Sequence, residues 1–282
     1  MTQEIALYVV ATPIGNLNDI TLRALEVLAE VDLVAAEDTR HTQQLLKHHG
    51  IKTKLLSLHD HNESARVETV IKRLQQGDSI ALVSDAGTPL ISDPGFVVVN
   101  AVRDAGLSVV PIPGPSALVA ALSVSGVAVM PFAFYGFLPR TTSARQSAIG
   151  NASVQNQTSV FYEASHRIVD MLEDIAVVCG GERSVVLAKE MTKLHEALVR
   201  APVSEVLEWL AEDHKRQKGE FVVLLERPKS EAHPYLLNIE QILKPLAEDL
   251  PPKQAAALAA TMTGLKKNDL YRLVMQWKEE RK

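Results

Sequence analysis

Short apolar segments typical of strands alternate with helix-like segments along the first half of this chain. The strand-like segments are residues 5–11, 33–36, 80–83 and 107–110. Segments with the helical spacing of apolar residues lie at 21–28, 39–49, 63–76 and 95–105. Alternation of this kind is typical of a mostly parallel sheet with helices on its faces. The pattern therefore predicts an α/β fold.

A second series of the same kind occupies the middle of the chain. Strand-like segments lie at 131–137, 159–162, 185–188 and 221–225, with helix-like segments at 167–177 and 203–211. We place a domain boundary near residues 125–131, so that an N-terminal α/β domain spans 1–125 and a second α/β domain spans 126–228.

The strand signals stop at about Lys229, and residues 229–282 are expected to form a helical tail. An alanine-rich helix with proline at its start is followed by a break at Thr263-Gly264 and by a second helix from about Lys267. This order of helix, tight turn and helix predicts a helix-turn-helix. The basic turn either contacts nucleic acid or is simply solvated.

Charge and cysteine content exclude several classes of protein. The chain has 282 residues, a formal net charge of −5 and a single cysteine, Cys179. One cysteine excludes an internal disulfide and a cysteine-rich zinc site, and it is typical of a reducing cytoplasm. Neither a signal peptide nor a membrane-spanning apolar stretch is found in the sequence. A soluble, cytoplasmic protein is expected, and nucleic-acid binding would need a local basic patch.

Three polar loops follow predicted strands, and ligands of parallel α/β sheets bind at this edge. The loops are ATPIGNL at 11–17, AEDTRHT at 36–42 and SDAGTPLISDPG at 84–95. None is a phosphate cradle, because prolines remove backbone N–H donors and the loop aspartates would repel a phosphate. The loops suit a ligand with hydroxyls, an amine or a cationic centre. S-adenosylmethionine has these groups, as do many other ligands, and the alternative is that these are ordinary turns.

Several long motifs carry a resemblance to a known family. They include LYVVATPIGNLNDIT, AAEDTRHTQQLLKHHGI, ALVSDAGTPLISDPG, VVPIPGPSALVAALSVSG, VFYEASHR and KEMTKLHE. Together they resemble the ribosomal RNA small subunit methyltransferase I family of the tetrapyrrole methylase superfamily. The resemblance covers about residues 5–275, including the tail. It implies a two-domain tetrapyrrole-methylase-like fold with mixed or parallel sheets, and a methyl donor, S-adenosylmethionine, bound between the domains.

The resemblance also implies which residues contact this donor. They are Ile14, Gly15, Ala86, Gly87, Thr88, Ile91, Ser116, Ala117, Glu163 and Met191. Small residues allow the backbone of the 84–95 loop to approach the ligand, and its prolines preorganise it. Asp85 and Asp93 of this loop either bind the ligand or brace the loop.

Candidates for a general base and for RNA contacts come from the same motifs. The candidate catalytic carboxylates are Asp38, Glu163 and Glu190, and His195 is a further possibility that the sequence does not separate from them. Positive charge for RNA phosphates is offered by Arg40, His166, Arg167, Lys189, Lys193 and Arg200. Tyr135, Phe137 and Tyr162 either stack on an extruded base or pack in the core.

No metal is expected, although histidines are frequent near residues 41–61. The group His59-Asp60-His61 matches no standard ligand spacing, and methyl transfer from a sulfonium needs no Lewis acid.

The activity implied by the resemblance is 2′-O-methylation of a cytidine in 16S rRNA near the decoding centre, within the 30S subunit, by a homodimer. Two alternatives remain open at this point. One is a methylase of the same superfamily that acts on a tetrapyrrole precursor, and the other is a non-catalytic RNA-binding assembly factor.

Overall fold

The computed structural model describes residues 4–59, 63–228, 239–263 and 265–280. Asp60 and His61 of the histidine group, and Gly264 of the expected helix break, lie outside the described residues.

The first sheet is parallel and has the strand order β3-β2-β4-β1-β5. Its strands are β1 (Leu7–Val10), β2 (Leu33–Ala36), β3 (Leu55–Ser57), β4 (Ile80–Val83) and β5 (Val109–Ile112). The helices of this half are α1 (Leu22–Glu30), α2 (Thr39–His48), α3 (Glu63–Gln75), α4 (Phe96–Asp104) and α5 (Ala117–Val124). Strands β2 and β4 are apolar throughout because helices cover both faces of the sheet.

The two edge strands differ from the sequence prediction. Strand β5 continues through Pro111, where the sequence pattern indicated its end. Proline is tolerated there because β5 lies at the edge of the sheet and one side of its backbone has no neighbouring strand in it. Strand β3, at the opposite edge, has only three residues and was not predicted.

The second sheet is mixed and has the order β6-β7-β10-β8-β9. Its strands are β6 (Phe132–Phe137), β7 (Thr158–Ala164), β8 (Ser184–Lys189), β9 (Ala197–Pro202) and β10 (Glu220–Leu225). Strands β6 and β7 are parallel, and every other neighbouring pair is antiparallel. Helices α6 (Thr142–Ser153), α7 (Ile168–Cys179) and α8 (Val203–Glu212) belong to this half.

The two faces of the second sheet pack against different partners, because successive side chains of a strand point to opposite faces. Leu187 belongs to the core beneath α6, α7 and α8. Its neighbour Val186 packs on the other face against Ala121 and Leu122 of α5. Helix α5 therefore follows the first sheet in sequence but packs on the second.

The tail forms three helices, α9 (Ile239–Asp249), α10 (Pro252–Thr263) and α11 (Lys267–Glu280). The predicted start of the last helix at about Lys267 is confirmed, and α9 is an additional helix. The three helices share a small apolar core that includes Leu243, Ala259 and Val274. Among the described helices, none is long and apolar enough to cross a lipid bilayer.

Candidate active site

A cavity of about 240 Å³ lies between the carboxyl end of the first sheet and the second sheet. The first half contributes Ile14, Ala86, Gly87, Thr88, Ile91, Ser92, Asp93, Ser116 and Ala117. The second half contributes Phe137, Tyr162, Glu163, Ala164, Ala188, Met191, Lys193, Glu220, Phe221 and Val222. Most of these walls are apolar, with a few polar groups, as is usual for small-molecule sites.

The loop after β4 is fixed to the loop after β1 by an isolated β-bridge. The Thr12 N–H donates to the Gly87 carbonyl at 2.9 Å, and the Gly87 N–H donates back at 3.0 Å. Gly87 has a φ of +82°, which lies in a region of backbone conformation that residues with a Cβ rarely adopt. A residue with a side chain would therefore be strained at the point where this loop forms the cavity wall.

The same loop holds two strained residues. Leu90 and Ser92 have φ values of 72° and 70°, which cost about 1–3 kcal/mol each for residues with a side chain. A second contact lies next to Gly87, where the Thr88 hydroxyl donates to the Pro115 carbonyl at 3.1 Å. Backbone strain that is maintained by surrounding contacts is typical of a functional site.

Asp85 braces two loops. Its carboxylate accepts a hydrogen bond from the Asp38 N–H at 2.9 Å and lies 3.3 Å from His41 Nδ1. Both partners follow β2, so this side chain connects the loops after β2 and β4. Asp93, by contrast, lines the cavity.

Glu163, on β7, contributes to the cavity wall, but its carboxylate lies on the same face of the sheet as Phe161, toward α6 and α7. Its side chain has no exposed surface, and Oε1 accepts a hydrogen bond from the Ala164 N–H at 2.9 Å. Oε2 lies 3.2 Å from an Arg167 guanidinium nitrogen, but the two are not aligned for a hydrogen bond. Within the described residues, Oε2 thus has an ionic neighbour and no hydrogen-bond donor. Burial raises the pKa of this carboxyl, and the Ala164 N–H and Arg167 offset only part of that rise.

Tyr162 connects the cavity wall to α5. Its hydroxyl oxygen accepts a hydrogen bond from the Leu118 N–H at 3.1 Å, and burial raises its pKa. The ring packs edge-to-face against Phe134 and Phe137, with centroid separations of 4.8 and 5.8 Å. Tyr135 instead stacks on Phe161 at 5.3 Å, outside the cavity lining.

The turn after β8 closes the cavity on the side of the second sheet. Lys193 Nζ lies 2.8 Å from both Glu190 Oε1 and Glu220 Oε2. Burial alone would lower the pKa of Lys193, but its contacts with the two carboxylates raise that pKa. Burial alone would raise the pKa of Glu190, but hydrogen bonds from Lys193 and from the Glu220 N–H lower it. The Asn16 N–H donates to the Thr192 hydroxyl at 3.2 Å, so the loop after β1 contacts this turn directly.

Comparisons with known proteins agree with this architecture. The family model for Tetrapyrrole (Corrin/Porphyrin) Methylases matches residues 6–207, and the model for the RsmI C-terminal HTH domain matches residues 237–278. Ribosomal RNA small subunit methyltransferase I of Escherichia coli O157:H7 is 51% identical over 270 residues, which are 96% of this chain and 94% of that protein. The protein of the same name from Synechocystis sp. is 43% identical over 273 residues, 96% and 97% of the two chains. This chain belongs to the ribosomal RNA small subunit methyltransferase I family.

Solved structures with low sequence identity share the fold of this family member. A cobalt precorrin-4 methyltransferase superposes with a TM-score of 0.59 at 18% identity, covering 79% of this chain and 95% of that one. A diphthine synthase superposes with a TM-score of 0.62 at 15% identity, covering 78% and 90%. The expected tetrapyrrole-methylase fold is confirmed. The domain limits at 125 and 228 stay predictions.

The structure of this methyltransferase brings together nine of the ten residues predicted to contact the donor. The exception is Gly15, which lies against the turn after β8, where a Cβ would collide with Lys193. Donor binding itself stays a prediction for all ten residues.

Of the three candidate catalytic carboxylates, only Glu163 lines the cavity. Asp38 caps α2 and pairs with Arg40 at 2.6 Å, and the hydrogen bonds from Arg40 hold the pKa of Asp38 far below its usual range. Glu190 is engaged by Lys193, and His195 lies with Glu190 in a second, separate cavity. The geometry therefore brings only one of these three residues to the cavity, and it directs the carboxylate of that residue to the opposite face of the sheet.

The basic residues predicted to bind RNA lie in different environments. Arg40 is exposed, and His166 lines a shallow groove beside the loop at 214–218. The Arg167 guanidinium is used internally, because it donates to the carbonyl oxygens of Leu138 and Pro139. Arg200 is similarly engaged with the Gly126 carbonyl and Glu226. Lys189 is buried at the end of β8, and Lys193 lines the cavity between the two sheets.

Sequence reasoning missed one wall of the cavity. It consists of Glu220, Phe221 and Val222 at the start of β10. This strand lies between β7 and β8, which are separate from it in sequence, and no local pattern indicates that pairing. In the part of the chain that the structure describes, no group of three His, Cys, Asp or Glu side chains is placed to hold a metal ion.

Proposed function

We propose that this protein transfers a methyl group from S-adenosylmethionine to the ribose 2′-oxygen of a cytidine in 16S rRNA, near the decoding centre. Family membership over almost the whole chain supports the reaction class, because the relatives are named as small-subunit rRNA methyltransferases. The observation that carries the proposal is the cavity between the two sheets, with the predicted donor residues on its walls.

The residues of the cavity fit this donor. S-adenosylmethionine supplies an electrophilic methyl group on a sulfonium, and it also carries an ammonium, a ribose and an adenine. Ala86, Gly87 and Ala117 leave space beside the backbone, while Ile14 and Met191 offer apolar surface. Asp93 places a carboxylate on the wall that faces a cationic ligand.

Glu163 is the candidate general base that lies at this cavity, although its carboxylate shares the face of β7 that carries Phe161. The carboxylate has no exposed surface, so Oε2 would accept the proton of a ribose hydroxyl only after the side chain turned into the cavity. Burial raises the pKa of this carboxyl, which makes its carboxylate a stronger base than an exposed one. The protein contributes further by holding the two reactants in line, which is where most of the barrier reduction for a displacement arises.

We also propose that the enzyme acts in the cytoplasm as a homodimer, on rRNA within the 30S subunit. Large apolar side chains that are exposed in the single chain, including Phe96, Met130 and Phe132, support self-association. Sedimentation equilibrium of the purified protein tests the dimer.

The deciding experiment supplies radiolabelled S-adenosylmethionine with 30S subunits, free 16S rRNA and a tetrapyrrole precursor, the RNAs coming from a strain that lacks this protein. Label in the ribose of one 16S cytidine is the expected result, and the preferred acceptor identifies the natural substrate. Label only in the tetrapyrrole would overturn the rRNA assignment. Absence of label in all three, with donor binding absent by calorimetry, would favour a non-catalytic assembly factor.

A further inference from the structure

A second cavity of about 530 Å³ lies beside the turn after β8, separate from the donor cavity. Lys189, the last residue of β8, contributes to its wall and is only 6% exposed. Nothing in the activity proposed above uses this cavity.

The two cavities lie on opposite faces of the same strand end. Ala188 lines the donor cavity and Lys189 lines the second one, as expected for successive side chains of a strand. The turn at 190–196 separates them: Lys193 faces the donor cavity, and His195 faces the second.

Lys189 has no ion-pair partner at contact distance in the described part of the chain, although the charge of the adjacent Glu190 attracts it. Among the residues that the structure describes, no carboxylate forms an ion pair with its ammonium group and no acceptor takes a hydrogen bond from it. The stem of this side chain is buried, while its ammonium nitrogen reaches the surface of the cavity. An ammonium group in this position is available to an anion that the chain itself does not supply.

The other cations of this cavity come from the segment after α8. Lys215 and Lys218 lie at its rim without an ion-pair partner in the described ranges. Arg216 pairs with Glu212 at 2.5 Å and stacks over the Trp209 ring, 4.7 Å from its centroid. Four cationic side chains thus line the cavity, three of which have no carboxylate partner there.

The three carboxylates that line the cavity are already engaged. Glu190 accepts hydrogen bonds from Lys193 and the Glu220 N–H, and Glu196 accepts from the Thr192 N–H at 2.6 Å. Asp213 accepts from the Lys215 N–H at 2.8 Å. None of them is paired with Lys189, so an incoming anion does not have to displace a carboxylate from it.

We propose that this cavity binds a backbone phosphate of the rRNA strand that flanks the methylated nucleotide. This inference rests on the proposed function and extends it. A strand whose target ribose enters the donor cavity passes over the turn at 190–196 and reaches Lys189 on the other face. RNA supplies phosphates on both sides of any nucleotide, and contacts of this kind fix register without reading the base.

The test compares Lys189→Met and Lys218→Met with Lys72→Met in the full-length protein. Lys189→Met keeps the length of the side chain in a buried position, while Lys218 is exposed, so its replacement does not threaten folding. Lys72 lies on α3, paired with Glu68 in the other half of the molecule, and serves as the control. The measurements are KM and kcat with 30S subunits, the affinity for radiolabelled 16S rRNA at several salt concentrations, and the affinity for S-adenosylmethionine.

In the Lys189 variant we expect KM and the rRNA dissociation constant to rise about tenfold. The slope of the logarithm of the rRNA affinity against the logarithm of the salt concentration, which we call the salt slope, should fall in magnitude by about one. Lys218→Met should shift them in the same direction by less, and kcat and donor affinity should stay at the wild-type values in both. Unchanged KM and salt slope in both variants, with an active wild-type protein, would overturn the phosphate site alone. A fall in kcat at unchanged KM would also overturn it, because Lys189 would then act through the neighbouring turn. A wild-type protein that neither binds nor methylates rRNA would overturn the proposed function as well.

Discussion

Thr12 and Gly87 lie 75 residues apart in sequence and exchange two backbone hydrogen bonds, of 2.9 and 3.0 Å. This bridge fixes the loop after β4 against the loop after β1 and sets the shape of one wall of the donor cavity. An added Cβ at Gly87 would meet Ile14 only at an ordinary contact distance of 3.5 Å, so the limiting factor is the backbone.

Gly87→Val should therefore abolish measurable binding of S-adenosylmethionine, since the valine either fills the cavity or forces the loop to a different φ. The cost in unfolding free energy should be about 1–2 kcal/mol, the usual cost of a left-handed conformation. Gly106→Val is the matched control, because Gly106 has a similar φ of 72° and open space around it. Calorimetry and urea denaturation separate the two effects. Normal donor affinity in the Gly87 variant would remove this residue from the site.

Glu163→Gln tests the candidate base: a carboxylate that turns into the cavity to act predicts a fall in kcat of about 100-fold or more, with the donor affinity within a few-fold of wild type. A general base must be ionised, so the wild-type rate should rise with pH through the raised pKa of Glu163, and this rise should be absent in the variant. Asp38→Asn and Glu190→Gln are the comparisons, since neither side chain lines the cavity. A full pH dependence in the Gln variant would assign the base elsewhere.

The same raised pKa makes a separate prediction for stability. Below the pKa of an unfolded glutamate, about 4.3, Glu163 is protonated in both states and exerts no penalty. As the pH rises through the folded-state value, the native protein must ionise a buried carboxyl, and stability is lost. The unfolding free energy of Glu163→Gln should therefore increase relative to wild type from pH 4 toward pH 8. A difference in unfolding free energy between variant and wild type that is the same at every pH in this range would contradict a raised pKa of Glu163.

Gly15→Ala tests the contact between the loop after β1 and the turn after β8. The new Cβ would collide with the Lys193 side chain and would lie 3.0 Å from the Thr192 hydroxyl oxygen, so the two segments must separate. We expect weaker donor binding by about tenfold with little loss of global stability. Lys193→Ala removes the side chain with which this Cβ collides. The loss of donor binding free energy in the double variant should therefore be smaller than the sum of the losses in the two single variants. Strict additivity would show that Gly15 acts independently of the turn.

Asp174→Asn should destabilise the second half strongly. Asp174 Oδ2 accepts a hydrogen bond from Arg145 Nε at 2.5 Å, and Arg145 is only 4% exposed. Loss of the carboxylate leaves a buried guanidinium without its counter-ion, at a cost of about 3–5 kcal/mol. Glu173→Gln, on the exposed side of the same helix, should change stability by less than about 0.5 kcal/mol. Differential scanning calorimetry compares the two, and equal melting temperatures would contradict the role of the ion pair.

Local sequence patterns predicted most elements of the first sheet. The segment Ile80–Val83 is apolar throughout and bounded by polar residues, so its limits were evident before the structure was known. The loops after such strands were also evident, because prolines and glycines mark them. Residues grouped by those loops, such as Ala86 and Ser116, accordingly lie together in the cavity.

What the sequence could not indicate depends on long-range pairing and on burial. The wall formed by Val222 exists because β10 lies between β7 and β8, and local periodicity does not indicate this strand order. The sequence also does not predict the burial of Lys189, since a lysine at the end of a strand is usually exposed. Arg167 lies in a basic motif that suggested RNA, yet its guanidinium is directed at two carbonyl groups of its own chain.

The placement of α5 has a mechanical consequence. The helix packs on the second sheet, and the Tyr162 hydroxyl accepts the Leu118 N–H, whereas Thr88 of the first half donates to the Pro115 carbonyl. Any opening of one half relative to the other would carry α5 along with the second sheet. The motion would then be concentrated in the few residues between β5 and α5, where Pro113 and Pro115 stiffen the connection. Ser116 and Ala117 would move away from the Gly87 loop in the same displacement, so the cavity would widen between these two segments of its wall.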